Sequence, residues 1–204
     1  MRVCTDFRDR YQALETRMRA QAEADRDIFL PSAAPDGAVD YVLICMEPSL
    51  GRWAQVPDEA ESKIKGGFRN FLSSLEDFIV HFCARRYLCC EVDERYHITD
   101  MAKGAMLVEH AGAARVERYD RWYGLLLEEL ALISRPNVRI VAVGNVVSDY
   151  LEARSSGAIQ AVDATVCREV QVIGTVAGRV AGGVGLPSLC AYRGSSFKAR
   201  QHLL

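Results

Sequence analysis

The chain has 204 residues, half of them hydrophobic, and a formal net charge of -2. That size and apolar content suit one α/β domain spanning 1–204, and the charge balance argues against general coating of nucleic acid, which needs a basic excess. No apolar stretch reaches bilayer length, the charged start (Arg2, Asp6, Arg8, Asp9, Arg10) lacks a signal peptide's apolar segment, and seven cysteines without a Cys-x-x-Cys pair give no disulfide, zinc or iron–sulfur pattern. The expectation is a cytoplasmic protein with no membrane segment, no metal, no cofactor and no protein partner.

Elements follow from hydrophobic spacing. Residues 6–28 carry Tyr11, Leu14 and Met18 on one side and predict a helix, with a loop from Pro31 to Gly37; residues 1–37 form an N-terminal helix and loop. Tyr41 to Met46 is a short apolar run that reads as a buried strand. The polar stretch Pro57 to Lys65 reads as a mobile loop. Phe68, Phe71, Leu72, Leu75, Phe78, Ile79 and Phe82 follow helical spacing and predict a helix over 68–86. Tyr96 to Met101 reads as a short strand. Arg115 to Ser134 reads as a helix with Tyr119, Trp122, Leu126, Leu130 and Ile133 inward. Pro136-Asn137 reads as a turn, Val138 to Val143 as a strand, and Gly144-Asn145 as the opening of a helix to about Glu152. Val170 to Gly185 is glycine-rich and gives no assignment. Leu186 to Ala191 reads as the last strand and Ser195 to Leu204 as a closing helix. Alternation of strand and helix predicts a parallel sheet covered on both faces.

The most informative stretch ends the first apolar run. Pro48 cannot continue a ladder, so the chain turns there and Glu47 is delivered into a loop. Ligands of open α/β sheets bind beyond the carboxyl ends of the strands. Glu47 is therefore a candidate acid or base; the alternative is a Glu that caps the next helix or lies in solvent.

With three strand ends aligned, the chain resembles the uracil-DNA glycosylase superfamily from roughly Tyr41 onward. Cys45-Met46-Glu47-Pro48 matches the first motif, Gly-x-(Asp, Asn or Glu)-Pro, with Cys45 in place of the glycine. Ile98-Thr99-Asp100-Met101-Ala102-Lys103 matches a landmark that usually reads Thr-Asn followed by Lys. Val138 to Gly144 resembles the third strand, and Tyr192-Arg193-Gly194-Ser195-Ser196 falls where a His-Pro-Ser or His-x-Ser motif belongs. The resemblance implies a three-layer α/β/α sandwich around a central, mainly parallel four-stranded sheet. It also implies a DNA partner whose target nucleotide is flipped into a pocket. The bond broken joins the base to C1′ through an oxocarbenium-like state, which a carboxylate stabilises while it orients or deprotonates water. Glu47 takes that role. Met46, Ser49, Phe68, Asp100 and Tyr192 fall around the base. Arg52, Lys103, Arg193, Ser195, Ser196 and Lys198 fall along the DNA.

Two departures bear on the base. Asp100 stands where an Asn pairs with uracil. An ionised carboxylate only accepts hydrogen bonds, which suits the N4 amino group of cytosine; cytosine N3 is itself an acceptor, so one proton is needed between N3 and Asp100. Ser49 stands where uracil-selective relatives carry a Tyr that blocks C5. Together they point to a C5-substituted cytosine, such as the hydroxymethylated or glucosylated cytosine of phage DNA, and thus to an antiviral role. A third departure is the absent last-motif histidine, for which Tyr192 is the nearest equivalent. Tyr192 or Arg193 then donates to the leaving base, the base needs less help, or the protein binds without cleaving. An ordinary uracil glycosylase and a silent nucleic-acid-binding or nucleotide-sensing module stay open.

Each residue also has a plainer reading. Asp100 caps a helix, Phe68 and Phe71 pack in a core, and Lys103 is simply exposed. Arg52, Lys63, Lys65 and Arg69, like Arg193, Lys198 and Arg200, are ordinary solvated charge. Gly178 to Gly185 lacks the Gly-Lys-Ser/Thr ending of a phosphate loop. His81, His97, His110 and His202 show no metal-like spacing.

Overall fold

The structure, a computed structural model, describes residues 2–50, 53–54, 56–72, 75–85, 93–106, 114–154, 159–163, 168–172 and 188–192. Its helices are α1 (Arg2–Asp25), α2 (Pro57–Lys65), α3 (Leu75–Cys83), α4 (Arg115–Ile133) and α5 (Asn145–Arg154). Its strands are β1 (Ile28–Phe29), β2 (Val39–Cys45), β3 (Tyr96–Asp100), β4 (Gly104–Ala105), β5 (Ser134–Val143), β6 (Ile159–Asp163), β7 (Arg168–Val172) and β8 (Ser188–Tyr192). The protein is mixed α/β. Its main sheet has the order β3-β2-β5-β8-β7-β6, and a separate antiparallel pair joins β1 to β4.

The four strands from β3 to β8 run parallel, and β7 and β6 add to them antiparallel. Among the described residues the sheet therefore has six strands where four were expected, because Ile159–Asp163 and Arg168–Val172 supply an antiparallel pair that periodicity did not reveal. Parallel register brings Cys45 opposite Asp100, Ile44 opposite Ala142 and Val143 opposite Tyr192. The carboxyl ends of all four parallel strands thus share one edge.

Strand alternation splits the interior. Val42, Ile44, Ile140 and Ala142 join α1 (Tyr11, Leu14, Met18, Ala22), α4 (Tyr119, Trp122, Leu126, Leu130, Ile133) and α5 (Val147, Tyr150, Leu151) in the largest core cluster. Leu43, Ile98 and Val141 pack with Ala84 on the other side. The α4 stripe is the five residues expected from helical spacing.

Several boundaries differ from expectation for identifiable reasons. Arg26, with φ +61°, ends α1 before the Ile28–Phe29 strand. Pro57 to Lys65 is a helix, not a loop. Pro57 occupies its first turn with Asp58 and Glu59, Lys63 and Lys65 lie in its last, and Glu59–Lys63 and Glu61–Lys65 pair at i,i+4. Its one buried residue is Ala60, so no apolar stripe announces it. Of the helix expected over 68–86, the described α-helix is Leu75–Cys83, and it does not start at Phe68 because Phe71 takes φ +62° ahead of it. Phe78 and Phe82 on that helix are 64% and 43% exposed rather than in the core. Pro136-Asn137 lies inside β5 rather than in a turn. Between the pairs Val39–Ser134 and Tyr41–Arg139, two steps on β2 face five on β5, a slip at the residue that cannot donate to the ladder. Gly144 opens α5 as expected, at φ +100°. The unassigned span begins inside β7, and the expected helix from Ser195 to Leu204 lies outside the described residues. No helix among the described residues is long and apolar enough to cross a membrane.

Candidate functional site

The exit of β2 builds the site. The amide of Met101 donates to the carbonyls of Cys45 (2.9 Å) and Met46 (2.8 Å), so the chain leaving β2 is tied to the end of β3. Two residues later the Glu47 side chain turns toward α4. It is only 3% exposed. Nε and Nη2 of Arg115 each lie 2.7 Å from its Oε1, and the Tyr119 hydroxyl donates to its Oε2 at 2.5 Å. Arg115 and Tyr119 are one helical turn apart, so one face of α4 presents both donors. Burial and this bond hold the Tyr119 phenol well above its ordinary range. Glu47 thus neither caps the following helix nor lies in solvent.

Asp100 ends β3 beside Cys45, 4% exposed, on the α3 side of the sheet. The Asn70 side-chain amide donates to its Oδ2 at 2.6 Å. Burial pushes the carboxyl up to about 7; Lys103 and the Asn70 bond oppose that rise, while Glu129 and Glu47 add to it. Burial and the Asp100 charge also hold the Cys45 thiol up. Asp100 reads as a buried, near-neutral titrating acid, not as a helix cap.

Under the same strand end lies a second buried cluster, on the α4 side. Glu129, fully buried, accepts from Tyr11 (3.0 Å) and Thr99 (2.9 Å), pairs with Lys103 at 2.8 Å, and meets His97 Nε2 at 3.4 Å. Burial would raise its carboxyl; Lys103 and His97 outweigh that and hold it below the usual carboxylate range. Lys103 is 2% exposed and also bonds Thr99. This corrects the phosphate-contact expectation for Lys103 and its exposed alternative alike: a landmark Lys beside a strand end has a buried acid within reach, and an unpaired charge there would cost far more than pairing it.

The remaining expected residues separate. Met46 is exposed at the β2 exit. Ser49 is partly buried, bridges Met106 through its backbone, and accepts from Trp53 Nε1 at 2.7 Å through its carbonyl. Phe68 stacks on Trp53, with ring centroids 4.7 Å apart, in a small cluster with Leu30, Leu50 and Ala60. That is the packing role weighed against base stacking. Tyr192 ends β8 in register with Val143. Arg52, Arg193, Ser195, Ser196 and Lys198 lie outside the described residues. Sequence reasoning missed Asn70, Arg115 and Tyr119 as site residues. The partners are separated by 30, 68 and 72 positions, and no local pattern encodes such pairs.

A cleft of about 460 Å³ runs beside the outer edge of β3, lined in part by Asn70, Phe71, His81, Tyr96 and His97. His81 Nε2 lies 2.7 Å from the Phe71 carbonyl and therefore donates to it; Nδ1 meets the Tyr96 hydroxyl at 2.8 Å. Asn70 is common to this cleft and to Asp100. Among the described residues no group of three or more His, Cys, Asp or Glu side chains is placed to hold a metal ion. Comparison with protein-family models, with curated proteins and with solved structures finds no match.

Proposed function

We propose that the protein is a DNA glycosylase of the uracil-DNA glycosylase type, a three-layer α/β/α domain that flips a modified pyrimidine and hydrolyses its N-glycosidic bond. One observation carries the reading. Two buried carboxylates, Glu47 and Asp100, stand at the carboxyl ends of adjacent parallel strands, where open α/β sheets hold ligands. Their environments differ, as two roles require. Glu47 faces a guanidinium and a phenol; it serves as the anion beside C1′ that offsets oxocarbenium charge and aligns water. Asp100, titrating near neutrality, supplies the proton that a cytosine edge demands: neutral, it donates to N3; ionised, it accepts from N4. Ser49 leaves room at C5, so a hydroxymethylated or glucosylated cytosine is the substrate class. Arg193 and Lys198 contact phosphate, which makes binding salt-dependent.

The test is single-turnover incubation with duplexes carrying uracil, cytosine, hydroxymethylcytosine or its glucosylated form. An abasic product from the modified cytosines is expected, and Glu47→Gln should suppress it by about 10²–10⁴-fold with the fold intact. Wild-type turnover in that variant removes Glu47 from the chemistry. A second reading, a nucleic-acid-binding module without catalysis, is favoured by the engagement of both Glu47 oxygens with α4. Tight binding with no product from any duplex would establish it.

A further inference from the structure

Resting on the glycosylase reading, we infer that Arg115 and Tyr119 are positioning residues that hold Glu47 as an oriented anion and leave a single lone pair on Oε2 for the attacking water. A carboxylate offers about four lone-pair sites. Two nitrogens of Arg115 converge on Oε1 and the Tyr119 hydroxyl takes one site on Oε2, so among the described residues one site remains. The flexible Glu side chain would otherwise sample several rotamers, and misplacing a reacting group by about 1 Å costs on the order of 10²-fold in rate.

The clamp is itself braced. Tyr119 is buried and packs edge-on against Tyr150, with centroids 5.1 Å apart at 82°. The Tyr150 hydroxyl donates to Asp120 at 2.7 Å, and Arg154 bonds the same Asp120 oxygen at 2.5 Å. The described charged and titratable groups around Glu47 are Arg115 and Tyr119 from α4 and Asp100 from β3. Moving a proton onto Glu47 would strip Arg115 of its counter-charge, so Glu47 works through charge and orientation rather than as the final proton acceptor. In the step it serves, the C1′–N bond breaks with its electron pair leaving on the base. The water oxygen bonds to C1′, and the water's proton is finally taken up by the departed base.

A double-mutant cycle tests this. Base release, DNA affinity and thermal midpoint are measured for wild type, Tyr119→Phe, Glu47→Gln and the double variant, with Arg115→Lys and Arg115→Ala alongside. Tyr119→Phe should slow base release roughly 10–100-fold with DNA affinity unchanged, yet alter the Glu47→Gln rate less than about 2-fold, because residues acting as a unit are not additive. Arg115→Lys should recover part of the loss seen in Arg115→Ala. Equal losses from Tyr119→Phe in both backgrounds would overturn the inference and leave the glycosylase reading standing. Absence of base release from every duplex would overturn both. In that event a downfield Tyr119 hydroxyl proton in NMR, absent in Tyr119→Phe and shifted in Glu47→Gln, would still report the clamp as a structural pair.

Discussion

Asp100 is a liability to the fold, and its cost can be worked out. The carboxyl is buried, its described hydrogen bond comes from Asn70, and the nearby Lys103 ammonium is already committed to Glu129 and Thr99. Its folded value of about 7 stands above the ordinary 3.8. Between those values the native state holds a proton that the unfolded chain has lost, so stability falls as pH rises through the window, and the full penalty is present above pH 7. About three pH units at roughly 1.4 kcal/mol each make a penalty of about 4 kcal/mol. Asp100→Asn removes the titration and keeps an oxygen to accept from Asn70. The variant should match wild type near pH 3.5, gain part of that penalty at pH 5, and gain on the order of 4 kcal/mol at pH 8. Urea unfolding of both proteins across that range reads the difference, which includes the response of Cys45 and Glu129 to loss of the Asp100 charge, while groups distant from Asp100 cancel. In thermal unfolding a domain of this size moves about 2–4 °C per kcal/mol. A stability difference that does not change with pH, or a variant weaker at pH 8, would refute the reasoning. The same substitution should raise the rate on uracil relative to modified cytosine, because the amide restores a fixed donor for O4.

Glu129→Gln should destabilise by roughly 3–5 kcal/mol in urea unfolding, because Lys103 is left as a buried charge without its counter-ion; pairing it with Lys103→Met should recover much of the loss. Because the Glu129 carboxyl is depressed, its contribution is present above the ordinary carboxylate range and fades as pH falls through the lowered folded value. Phe78→Ser should change stability by no more than about 0.5 kcal/mol, as expected for an exposed side chain, whereas Trp122→Ala should cost about 3–5 kcal/mol by calorimetry or denaturant melt. Ser49→Tyr should depress release of C5-substituted cytosines relative to unsubstituted bases, measured as a ratio of single-turnover rates; uniform loss on all bases would remove Ser49 from the C5 side.

Local pattern was enough to find the frame. The stripe Tyr119, Trp122, Leu126, Leu130, Ile133 and the apolar run before Pro48 were legible, because amphipathic periodicity and a ladder-breaking proline act within a few residues. So was the delivery of Glu47 and Asp100 to strand ends, since parallel alternation aligns carboxyl ends by topology. The polar helix Pro57–Lys65 was not, because caps and i,i+4 pairs hold it with almost no buried face. The phenylalanines of Leu75–Cys83 have core spacing yet stand in solvent, for spacing tells which residues share a face and not whether anything covers it. Whether Glu47 is free or clamped, whether Asp100 is charged, and whether Lys103 reaches solvent depended on Arg115, Tyr119, Asn70 and Glu129. Those partners arrive from distant segments, and the desolvation that makes their pairing obligatory exists only once the sheet and α4 have closed over them.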